Sequence, residues 1–110
     1  MIRAIAKVTG KSWNDVYRDL CKLGEEMGDW GNENVVWRRY LKEMGFRQYA
    51  IPNSCPDCYS VEDFARDHQN GEYILATGAH GGDHAIAIVD GDWWDAWDSG
   101  GEVPILFFRR

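Results

Sequence analysis

The residues of this 110-residue sequence whose types and spacing bear on chemistry are a histidine, two aspartates and three cysteines. His84 opens the apolar run HAIAIV, Asp90-Gly91 follows, and Asp95 and Asp98 return among the tryptophans of DWWDAWD. A carboxylate that holds an imidazole fixes its tautomer and stabilises the imidazolium, which is the orienting half of a nucleophilic triad. The same pairing also arises where a strand histidine merely satisfies a nearby acid. His80, before Gly81-Gly82, reads as a loop residue.

An odd number of cysteines implies no disulfide framework. Cys21 falls on the apolar side of a helical pattern and reads as a buried structural thiol. Cys55-Pro-Asp-Cys58 reads as a local turn with two thiols. Structural zinc normally takes four ligands, and no second C-x-x-C exists, although His68 and one further group could complete a site. Redox chemistry favours a thiol at a helix N-terminus, whereas this pair precedes its helix. Serine and threonine offer no G-x-S-x-G setting. The sequence implies neither a metal nor a cofactor.

Hairpin geometry decides which acid meets His84. Asp90-Gly91 between apolar strands is a strong two-residue turn signal. With that turn, Val89 faces Asp92, Ile86 faces Asp95 and His84 faces Trp97. His84, Ile86, Asp95 and Trp97 then share one side of the sheet. Asp95 is the diagonal neighbour of His84, about 7–8 Å away between backbones and within side-chain reach. A three-residue bulged loop would reverse the parity and make Asp98 the partner.

Other elements must hold that hairpin. Ile2, Ile5, Ala6 and Thr9 share a helical face that stops at Gly10. Ser12 reads as an N-cap with Asp15 three residues on. Trp13, Val16, Tyr17, Leu20 and Cys21 follow at amphipathic spacing, and Gly24 supplies a stop. A third helix starts near Asn34, carries Val36, Trp37, Tyr40, Leu41 and Met44, and ends at Gly45. FRQYAI (46–51) reads as a short strand. A short helix follows from Ser60, with Val61, Phe64 and Ala65 inward and Asp63 in its first turn. EYILATG, HAIAIVD, DWWDAWD and EVPILFF read as strands. Helices first and an antiparallel sheet second is an α+β pattern, and residues 1–110 form one domain.

Composition narrows the function classes. The chain is 45% hydrophobic and 14% aromatic with six tryptophans, which is globular. Twelve basic against 18 acidic residues give a net charge of −6. That disfavours direct nucleic-acid binding, since the local basic clusters are only Arg38–Arg39 and Arg109–Arg110. An acidic surface suits a basic partner, or simply keeps the protein soluble. No run approaches a membrane span and no signal-peptide pattern opens the chain, so the expected location is the cytoplasm.

Four stretches, RAIAKVTGKSWNDVYRDLCKLG, IPNSCPDCYSVEDFARDH, YILATG and HAIAIVDGDWWDAWDSG, together resemble a family of small bacterial and phage proteins with a papain-like cysteine-peptidase fold. The resemblance implies N-terminal helices packed on a small antiparallel sheet. By motif it makes His84 the general base and Asp95 its orienting acid. The family's first helix opens with Asp-Cys, two residues, then Arg-Ala-Ile-Ala. Here Arg3-Ala4-Ile5-Ala6 is present, and the nucleophile position falls just before Met1. Ala79 to Asp83 looks like extra loop.

Three functions follow as expectations. One is a non-catalytic protein-binding module that keeps His84 and Asp95 as a remnant pair, with Trp30, Trp93 and Trp94 as exposed anchors. Its partner would be basic or nucleic-acid-binding. Charge and family context together suggest a phage-encoded inhibitor of a host defence nuclease. Another is a cysteine peptidase, amidase or acyl transferase whose thiol lies upstream of Met1. The third is a structural or oligomeric domain, in which an exposed EVPILFF edge would pair between copies, although burial is the simpler account of that strand.

Overall fold

Alanine and isoleucine alternate along HAIAIV, and that alternation organises the protein. The computed structural model describes residues 1–78 and 84–110. His80 and the rest of the Ala79–Asp83 stretch lie outside the described residues. Strand β3 (His84–Val89) turns Ala85 and Ala87 toward one core and Ile86 and Ile88 toward another. Small side chains on one face let a helix come close, and α1 (Ile2–Thr9) packs there through Ala4, Ile5 and Val8.

Helix α1 ends at Gly10 with φ 74°, as its sequence predicts. Helix α2 (Trp13–Met27) begins at Ser12, whose hydroxyl accepts the Asp15 N–H at 3.1 Å. Gly24 does not end it. The helix runs on to Gly28, and Gly24 is buried within it. A Cβ on Gly24 would lie 2.7 Å from the Asp29 carbonyl oxygen and 2.9 Å from the Gly31 nitrogen. The glycine serves the close return of the chain across the helix, a packing reason that looks identical to a stop signal in sequence.

The apolar stripe of α2 also differs from the sequence reading. Val16, Leu20 and Leu23 are buried, whereas Trp13, Tyr17 and Cys21 are exposed. Cys21 is therefore not a buried structural thiol. Trp13 and Tyr17 stack on each other at 5.3 Å instead of entering the core. Both stripes contain Val16 and Leu20, so periodicity found the helix but not which side its neighbours would cover.

Helix α3 (Asn34–Glu43) adds Val36, Trp37, Tyr40 and Leu41 to the same core. The Tyr40 hydroxyl donates to Asp19 at 2.6 Å, and Lys11 Nζ donates to the same carboxylate oxygen at 2.8 Å. Lys11, and then Tyr40, hold the Asp19 carboxyl below its usual range. Burial and the Asp19 bond push Tyr40 up to about 12. A carboxyl lowered in the folded state stabilises the fold above its unfolded pKa and loses that contribution as pH falls through the folded value. Asp19→Asn should therefore cost more stability at pH 7 than at pH 2.5. Urea unfolding at both pH values checks this, and an equal penalty at the two would contradict it.

The antiparallel sheet runs in the order β1 (Arg47–Ala50), β5 (Pro104–Arg109), β2 (Glu72–Thr77), β3, β4 (Asp92–Trp94). The last strand is thus interior to the sheet, the simpler of the two accounts of EVPILFF, and not an edge. Helix α4 (Val61–Asp67) covers the second face with Val61, Phe64 and Ala65 against Leu75, Ile86 and Ile88. Ser60 and Asp63 form a reciprocal capping box at its start. This is an α+β fold of four helices and five strands among the described residues. No described helix is long and apolar enough to cross a membrane.

Candidate functional site

The β3–β4 turn sets the register on which the site depends. Asp90 (φ 49°) and Gly91 (φ 86°) both take positive φ, the geometry of a two-residue turn matched to strand twist. Val89 pairs with Asp92, Ile88 with Trp93 and Ala87 with Trp94. The bulged alternative, and Asp98 as partner, are thereby excluded. Pairing stops at Trp94, so DWWDAWD is a strand only in its first half. Asp95 and Trp97 reach the histidine from the segment beyond it.

His84 Nε2 and Asp95 Oδ2 form a short, partly buried contact. Asp95 is the more enclosed partner, its side chain 7% exposed against 17% for His84. Burial works to raise the Asp95 pKa, but His84, the Ala96 N–H and the Ser99 hydroxyl outweigh it, and the carboxyl sits below its ordinary value. The Ala96 N–H donates to Asp95 Oδ1 at 2.7 Å. An ionised carboxylate only accepts, so Nε2 carries a proton toward Asp95 and Nδ1 is the ring nitrogen left to act as a base. That is the tautomer a general base needs. The Trp97 ring stacks on the imidazole at 4.5 Å and 17°.

The pair opens on a cleft of about 390 Å³ lined by Met1, Arg3, Ala4, Ala85, Trp94, Ala96 and Trp97. The front of α1 therefore stands beside the imidazole. Burial lowers the pKa of the Met1 amino group while Asp95 raises it, so both share one electrostatic field. No cysteine, serine or threonine lines this cleft among the described residues.

Glu102 is the site residue that sequence reasoning missed. Its Oε1 accepts from Thr77 Oγ1 and its Oε2 from Trp97 Nε1, both at 3.2 Å. The Ser-Gly-Gly turn at 99–101 folds the chain back and delivers Glu102 to His84. Those residue types mark a turn but give no direction, and the reading of Glu102 as the start of a strand hid it.

The remaining candidates separate. Trp30 is 77% exposed and Trp94 is 49% exposed, with Lys7 Nζ 3.8 Å above the Trp94 ring. Trp93 is not an exposed anchor: it packs against the α4 core, and its Nε1 donates to Asp98. Strand alternation turns it inward between two outward neighbours. Trp13 and Trp97, 47% and 58% exposed, join the exposed set instead. Cys55 and Cys58 are joined in a disulfide, so the turn holds no free thiols and offers no thiolates to zinc. His68 is engaged by its Nδ1 contact with the Phe64 carbonyl at 2.8 Å and by stacking on the Phe64 ring.

A groove of about 840 Å³ lies elsewhere, and there Lys42 and Arg47 join Arg38 and Arg39 around Phe46 and Phe108. Compared with known protein families, with curated proteins and with solved structures, the chain finds no match.

Proposed function

We propose that this chain is a papain-like domain that binds a protein partner and does not itself cleave one. The observation that carries the reading is a base-and-acid pair, His84 and Asp95, in a cleft at the front of α1 whose described lining includes no cysteine, serine or threonine. A general base without an attacking group cannot begin acyl transfer. Around the cleft, Trp94 and Trp97 are exposed, and Trp30 stands free near Met1. Rigid aromatics of this kind are the usual anchors of an interface.

The net charge of −6 favours a basic, nucleic-acid-binding partner. The most concrete form of this reading is a phage-encoded inhibitor that occupies the basic channel of a host defence nuclease. The immobilised chain, exposed to bacterial lysate in about 50 mM and 300 mM salt, should retain a basic protein only at the lower salt. Trp94→Ala and Trp30→Ala should weaken that retention. Retention that ignores both substitutions would overturn the reading.

A second reading is favoured by the position of Met1 in the same cleft as His84. A residue preceding Met1 in a longer chain would enter beside the imidazole. A cysteine there would make the domain a cysteine peptidase, amidase or acyl transferase, with Asp95 orienting the base.

A further inference from the structure

We propose that His84, Asp95 and Glu102 bind a divalent transition-metal cation, zinc being the best fit. Each side chain offers one ligand atom, and the three atoms lie within 4.8 Å of one another. Ligands about 2.0–2.2 Å from a shared zinc ion stand closer than 4.8 Å but farther apart than the short His84–Asp95 contact, so the site would form by small side-chain rotations that open that contact and bring in Glu102. One imidazole nitrogen and two carboxylates are a borderline donor set, better matched to zinc than to magnesium, which prefers oxygen alone. Two negative charges also balance a divalent ion.

The surroundings are arranged as the outer shell of a metal site is. Thr77 and Trp97 each donate to one oxygen of Glu102, and the Ala96 N–H donates to Asp95 Oδ1, which leaves Oδ2 directed at His84. Such donors fix the ligands before the ion arrives. Ser99 supplies an independent observation. It is fully buried, its hydroxyl makes no hydrogen bond of normal geometry, and it lies near enough to Asp95 to favour the charged carboxylate. His84 and Glu102 also line an open cavity of about 460 Å³ with Thr77, Gly78, Val103 and Ile105.

This inference does not rest on the papain-like reading, since it needs only three side chains and no nucleophile. A metal held by His84 Nε2 would replace that atom's hydrogen bond to Asp95, so the two states would exclude each other. The test is calorimetric titration of the full chain with zinc chloride, in a Cys21→Ser background that removes the exposed thiol. One zinc per chain is expected, with a higher melting temperature and no competition from millimolar magnesium. Glu102→Gln and His84→Ala should each weaken binding about 10-fold or more. Circular dichroism verifies that each variant is folded, and Asp95→Asn serves if either is not. Glu102→Gln binding zinc as tightly as the parent, or no saturable binding by the parent, overturns the proposal. Glu102→Gln leaves His84 and Asp95 in place, so its result bears on the metal and not on the base.

Discussion

A chain extended by Asp-Cys directly before Met1 is expected to react with iodoacetamide at pH 6 about 10- to 50-fold faster than the same chain carrying His84→Ala. A free thiol with pKa about 8.5 is only about 0.3% thiolate at that pH. A neighbouring imidazolium brings thiol pKa values to about 3.5–7.5, so a large fraction ionises, while the lower basicity of the thiolate returns part of the gain. The added cysteine would enter the cleft that Met1 and Arg3 already line beside His84. Cys21 must be changed to serine, because it is exposed, whereas Cys55 and Cys58 are spent in their disulfide. Asp95→Asn should give an intermediate rate by loosening the ring. Equal rates with and without His84 would mean that the imidazole does not address this position, and the papain-like reading would fall.

Phe64→Ala is expected to cost about 3–5 kcal/mol of unfolding free energy, measured by urea denaturation. Phe64 is fully enclosed and sits at the centre of the α4 core. Its ring stacks on His68 at 3.8 Å and meets Tyr73 and Phe107 at 5.3 Å and Tyr59 at 6.4 Å. Four rigid neighbours cannot collapse into the space it leaves, so the upper part of the range applies. The damage also travels toward the site. The Val61 and Glu62 N–H groups of α4 donate to the carbonyls of Glu102 and Gly100, both at 2.9 Å. An α4 that has lost its anchor no longer steadies the turn that presents Glu102. A loss below about 1 kcal/mol would show that α4 is not held by this ring.

The sequence was most legible where one local rule governs one residue. Ser12 and Ser60 cap their helices, Gly10 ends α1, and Asp90-Gly91 makes the turn that brings Asp95 rather than Asp98 to His84. It was least legible where two distant segments share a boundary. Gly24 carries the same letter whether it ends a helix or admits a crossing chain, and only the place of Asp29 and Gly31 tells them apart. Cys21 and Tyr17 lie on a helical stripe as regular as the buried one, and packing against α1 and α3 chose between the two. Glu102 was hidden because its position depends on the path of a turn, which no periodicity records.

Ala85 and Ala87 sit on the face of β3 opposite Ile86 and Ile88, and α1 rests against them. Those two methyl groups act as spacers that meter how far the leading helix stands from the imidazole. A bulkier side chain at either would lift the helix and widen the gap in front of His84, detuning the cleft with every polar group still in place. The reach of this histidine is thus governed by two of the plainest side chains in the protein.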